Sequence, residues 1–214
     1  MTEYNPEKVI HSAIGFDMMA KYLHLSDAGI VPTLIAVDGD NAFVQKIQGQ
    51  RFAAYLDSVV NTFEKNLMMT TYMMFHAGYQ TRYINNAGIM HNHNHTNNSI
   101  ITLVDDSLES TKTLPGPKLY RIDFDCARMG GILYGPDEAG IDGDEFLESV
   151  RGWLKTNNLE SNYESLQEMF MVGIRIADKK QILHEKIESD FFKRYKAKEF
   201  SMDNSQVQKK LRGE

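Results

Sequence analysis

The sequence predicts an α+β protein, with helices gathered toward the two ends and a mostly antiparallel sheet between them. Three observations carry this expectation. Apolar residues recur at three- and four-residue steps over residues 50–75 and again over 162–200. Between about Gly78 and Phe124 the chain instead breaks into short apolar runs punctuated by Asn, Asp, Gly and Pro. The 214 residues, 42% hydrophobic and 24% charged, are enough for one domain with a real core.

Over residues 6–25, Val9, Ile10, Ala13, Ile14, Met18 and Tyr22 follow a helical period, which Ser26-Asp27-Ala28-Gly29 stops. Pro32 precedes a continuous apolar strand over 33–38, a pattern expected inside a sheet covered on both faces. Residues 50–75 place Phe52, Tyr55, Leu56, Val59, Val60, Phe63 and Leu67 on one face of a long amphipathic helix. Met68, Met69, Met73 and Met74, at helical spacing, read as adaptable core packing. After Gly78, residues 79–84 and 89–95 flank Asn85-Asn86-Ala87-Gly88 and read as a hairpin. Residues 99–104 and 119–124 are further strands, with Leu114-Pro115-Gly116-Pro117 as a loop between them. Gly130-Gly131 and Gly135-Pro136 mark turns. Residues 145–155 are helical and carry Trp153. Helix dominates again over 162–200, with a break near Ala177-Asp178. The centre suits a split βαβ, ferredoxin-like unit. The organisation expected is a core domain over 1–156, a helical extension over 157–200 and a flexible tail over 201–214.

The net charge of −6 argues against a protein that coats nucleic acid, since no global basic field drives counterion release. It leaves room for an enzyme on nucleotides whose metal supplies the positive charge. The basic run Lys193-Arg194-Tyr195-Lys196-Ala197-Lys198 reads as a solvated helix face. Cys126 is the sole cysteine, so no intramolecular disulfide or thiolate cluster can form, which fits a reducing compartment. Beside Asp125 it reads as a buried structural thiol. Neither a secretion signal nor an apolar run long enough to span a bilayer is apparent, so a soluble, cytoplasmic protein is expected.

The apolar run Leu34-Ile35-Ala36-Val37 delivers Asp38-Gly39-Asp40-Asn41, two hard oxygen ligands around a glycine. Such a pair can hold a divalent cation, Mg²⁺ or Mn²⁺, against a phosphate, or merely tie off a strand. Three more acidic pairs follow: Asp105/Asp106, Asp123/Asp125 and Asp142/Asp144. Phosphoryl chemistry needs carboxylates from separate elements. Asp123 and Asp125 alternate with Ile122 and Phe124, which places both on one face of a strand, as a second metal pair or an acidic edge. Asp142-Gly143-Asp144-Glu145 opens a helix, where acids serve as caps and dipole partners. His91-Asn92-His93-Asn94-His95 reads as a polar loop, or as three imidazoles able to bind a metal. His76 reads as a satisfied core histidine. No Gly-rich phosphate loop is present.

The tetrapeptide Asp38-Gly39-Asp40-Asn41, at the end of an apolar strand and ahead of a long helix, resembles the first motif of palm-domain nucleotidyl cyclases and CRISPR-type polymerases. The resemblance implies a palm-like fold in which Asp38 and Asp40 bind the metal that organises a nucleoside triphosphate. Asp38, Asp40 and Asp123 would be the catalytic set, Asp125 a further metal ligand and Asn41 a nucleotide contact. The hairpin turn carries no acid where that family has one. The same tetrapeptide is similar to the opening of NYN/PIN-type ribonucleases, which would enlist Asp38, Asn41, Asp123 and Asp144. A third expectation is a non-enzymatic, perhaps viral, assembly protein that forms a homo-oligomer through its long helices. The partner expected under the first two is a nucleotide or small nucleic acid, with no membrane.

Overall fold

The computed structural model describes residues 9–12, 16–38, 41–102, 117–130, 134–180, 182, 184–197 and 199. The chain is α+β, with strands β1 Val9–Ser12, β2 Leu34–Asp38, β3 Asn41–Gln45, β4 Gln50–Arg51, β5 Ile89–Met90, β6 Ser99–Thr102, β7 Lys118–Arg121 and β8 Arg128–Met129. The helices are α1 Phe16–Asp27, α2 Phe52–Val59, α3 Phe63–Asn86, α4 Gly140–Thr156, α5 Tyr163–Asp178 and α6 His184–Lys196. All described pairings are antiparallel, in three small sheets ordered β1-β3-β2, β4-β6-β7 and β5-β8. The described strands do not join into one four-stranded sheet.

Two hydrophobic clusters form the core. One gathers α1, β2 and β3 with Ile84, Ile89, Phe124 and Phe191. The other gathers α2, α3, α4 and α5, and its rings Phe52, Phe146 and Phe170 stack in series at 5.8 and 5.6 Å. Helices α3 and α5 approach backbone to backbone. A Cβ on Gly78 would stand 2.0 Å from the carbonyl oxygen of Phe170, and one on Gly173 would stand 2.1 Å from that of Phe75. Only glycine permits such an approach.

Several expectations are corrected here. Residues 9–12 are a strand, and the first helix begins at Phe16. The expected helix over 50–75 is two helices, parted by a tight turn at Val60–Thr62. The hairpin over 79–95 is not formed, because α3 runs on through Asn86. Gly78, which looked like a stop, is instead the point where α5 touches α3. The Tyr, Thr and Ile content of 79–84 favours a strand locally, but partners across the fold override it. Gln80 Nε2 donates to the Leu119 carbonyl, and Arg82 donates to the carbonyls of Tyr134, Gly135 and Glu138. Met73 and Met74 are buried as expected, whereas Met68 is 86% exposed. Strand β2 lies at the edge of its three-stranded sheet among the described residues, while Leu34, Ala36 and Val37 are buried. The break at Ala177-Asp178, strand β6 and the helix around Trp153 agree with the sequence. The loop 114–116 and the tail 201–214 lie outside the described residues.

Among the described residues no helix is long and apolar enough to cross a membrane.

Candidate metal centre

Strands β2 and β3 form a hairpin in which Asp38 pairs with Asn41. Residues 39 and 40 separate them, and Gly-Xaa is a standard composition for so short a connection. The side chains of Asp38 and Asn41, together with Gly39 and Asp40, lie outside the described residues. So do Asp105 and Asp106.

The other acidic pair meets the histidine run. Strand β7 ends at Arg121, so Asp123 and Asp125 are not alternating strand residues as expected. Asp123 sits at φ +66°, in the left-handed region that Asp tolerates better than most residues, and Asp125 and Cys126 form the following turn. This kink still brings the two carboxyls into hydrogen bond with each other. Partial burial and the Asp125 carboxylate push the Asp123 carboxyl above its usual range, while its hydrogen bond pulls that of Asp125 below it. The Asn98 amide weakly opposes the rise at Asp123.

His93 completes the corner. Its Nδ1 has no hydrogen-bond partner and stands 3.8 Å from Asp123 Oδ2. Ligand atoms of His93, Asp125 and Cys126 all lie within 4.8 Å of one another. Bonds of about 2.0–2.3 Å in a tetrahedral centre would set ligand atoms about 3.3–3.8 Å apart, so the exposed Asp125 and Cys126 need close by only about an ångström. Cys126 is exposed, which corrects the expectation of a buried thiol. Asp125 and Asp123 push its pKa up, so the free thiol is protonated and a bound cation would displace that proton.

The three histidines do not share one face. His91 is buried on the Phe124 ring at 4.5 Å, with its Nε2 on the Ile122 carbonyl. Burial lowers its pKa to about 4. His93 and His95 remain nearer the surface, their rings edge to face at 4.6 Å, and His95 Nδ1 accepts from the Asn97 N–H. The Arg51 charge adds to the lowering of the His95 pKa and the Arg128 charge opposes the rise at Cys126, and both arginines are exposed.

Asp142, read from sequence as a helix cap, is buried and serves the loop. Its Oδ2 accepts from the His91 N–H and Asn85 Nδ2, and its Oδ1 from the Asn92 N–H. Asp144 is exposed. Beneath Asp142, the fully buried Arg121 donates to Ser99 Oγ, the Ala77 carbonyl and Thr81 Oγ1, and its guanidinium lies 4.5 Å from the centre of the Phe146 ring. Burial lowers the Arg121 pKa and the Asp142 carboxylate opposes this, which keeps an otherwise costly charge in place.

His76, expected in the core, is half-buried on α3 with its ring edge to face against Tyr72 and Phe75. Sequence reasoning paired Asp123 with Asp125 but missed Cys126 and His93 as their partners. The available signals were the histidine run itself and the adjacency of a soft donor to the second acid.

No protein-family model matches the chain, and neither does any curated protein.

Proposed function

We propose that this is a divalent-metal protein whose ion is held by His93, Asp125 and Cys126, with Asp123 as the fourth donor, and that the ion receives a phosphate-bearing ligand, a nucleotide or small nucleic acid. The observation that carries the reading is the meeting of an unpartnered imidazole nitrogen, a carboxylate and a thiol from two loops far apart in sequence. An imidazole–thiolate–carboxylate set favours Zn²⁺ or Co²⁺ over Mg²⁺, which prefers six oxygens. Arg51 and Arg128, whose charges are felt at His95 and Cys126, would supply positive charge for a phosphate. The bound ion would act as a Lewis acid on the phosphate. The test is Co²⁺ titration of the full chain. A thiolate-to-cobalt charge-transfer band is expected, and it should vanish in Cys126→Ser and weaken in His93→Ala. Absence of the band in the unmodified chain rejects the centre. Thermal stabilisation by nucleoside triphosphate only when metal is present tests the ligand.

The palm-like reading places a second metal function, Mg²⁺ or Mn²⁺ with a nucleoside triphosphate, at Asp38 and Asp40, with nucleotidyl transfer or cyclisation as the reaction. Its support is the tetrapeptide and the position of Asp38 at a strand end. The absent hairpin over 79–95 weighs against it. Stabilisation by triphosphate and Mg²⁺ that Asp38→Asn removes and Cys126→Ser leaves intact would favour this reading over the first.

A further inference from the structure

Helix α4 presents three acceptors at positions 142, 145 and 149, spaced to lie along one helix face. The loop carrying the histidines lies along that row. Asp142 takes the backbone N–H groups of His91 at 2.9 Å and Asn92 at 2.8 Å, Glu145 Oε2 takes that of Asn94 at 2.7 Å, and Ser149 Oγ takes that of Thr96 at 3.3 Å. Asn94 Nδ2 returns a bond to the Asp142 carbonyl at 2.8 Å. On the other side, Asn98 Nδ2 donates to the His93 carbonyl at 2.9 Å. The backbone is thus tied on both flanks of His93, while its Nδ1 is left without a hydrogen bond.

We propose that this acceptor row is the positioning device of the metal centre. Helix α4 holds the loop so that His93 faces Asp125 and Cys126 before any ion arrives, and Asp142, Glu145 and Ser149 act on the metal without touching it. The inference rests on the metal reading above. Groups that orient ligands set metal affinity through the geometry they enforce, and their loss typically lowers affinity about 10–100-fold.

Glu145 is the residue to test, because it is only half-buried and its removal spares the buried Asp142. In the full chain, Glu145→Ala should bind Co²⁺ about tenfold or more weakly, show the same charge-transfer band at saturation and exchange the amide hydrogens of residues 91–96 faster. Glu145→Gln keeps an acceptor oxygen and should restore the affinity. Equal affinity in the unmodified chain and Glu145→Ala overturns the inference and leaves the centre standing. Equal loss in Glu145→Ala and Glu145→Gln also overturns it, since charge rather than position would then be responsible. No cobalt band in the unmodified chain removes the centre itself, and this inference with it.

Discussion

His93 Nδ1 stands 3.8 Å from Asp123 Oδ2, across two loops far apart in sequence whose ends are brought together by the β5–β8 and β6–β7 pairings. Each loop is held from behind: the histidine loop by α4, and the aspartate turn by Phe124, buried against Tyr22 with ring centres 5.7 Å apart. The Asp125 charge helps to raise the Asp123 carboxyl above its usual range at this corner.

Asp123→Asn should therefore separate stability from binding. The change removes a potential like charge beside Asp125 and suits the left-handed backbone at φ +66°. The urea midpoint of the metal-free chain should stay within about 0.5 kcal/mol of the unmodified protein or rise. Affinity for Co²⁺ should fall, as measured by titration of the charge-transfer band.

The α3–α5 contact predicts opposite signs for three like substitutions. Gly78→Ala and Gly173→Ala each drive a methyl into a carbonyl oxygen of the facing helix and should cost about 1–3 kcal/mol or more in urea unfolding. Gly152, inside α4, has nothing within 4 Å of an added Cβ. Gly152→Ala should stabilise by about 0.5–1 kcal/mol.

His91 makes stability depend on pH. Its folded pKa, about 4, lies below the ordinary 6.5, because burial and the Arg121 charge disfavour the protonated ring. The unfolded chain therefore takes up this proton first. The stabilisation is whole above pH 6.5 and is lost as pH falls toward 4. Against His91→Gln, the unmodified chain should lose up to about 1.4 kcal/mol more per pH unit within that window. Urea midpoints measured across the window check this, and parallel curves would count against it.

Arg82→Met should unfasten the 134–138 segment. The buried guanidinium donates to three carbonyls there and stands 3.6 Å from Asp178. Its loss should cost about 3–5 kcal/mol and open the Tyr134 and Glu138 amides to hydrogen exchange.

What could be read from the sequence was what periodicity encodes. The helices around Phe52, Trp153 and Phe170 follow apolar spacing, as does strand β6. The course of 79–86 was not legible, because Gln80, Arg82 and Asn85 are polar residues buried by distant partners, and no local pattern announces such partners. The corner of His93, Asp123, Asp125 and Cys126 was half legible. Asp123 and Asp125 stood out as a pair, but their meeting with His93 depends on a left-handed kink and on Asp142, whose carboxylate looked like an ordinary helix cap.

Cys126, the chain's single thiol, lies open to solvent at the centre itself. A maleimide fluorophore would therefore attach to the purified chain at one address only, and an ion bound as proposed would slow the reaction. With the purified chain, the labelling rate would then report directly whether the proposed centre is occupied.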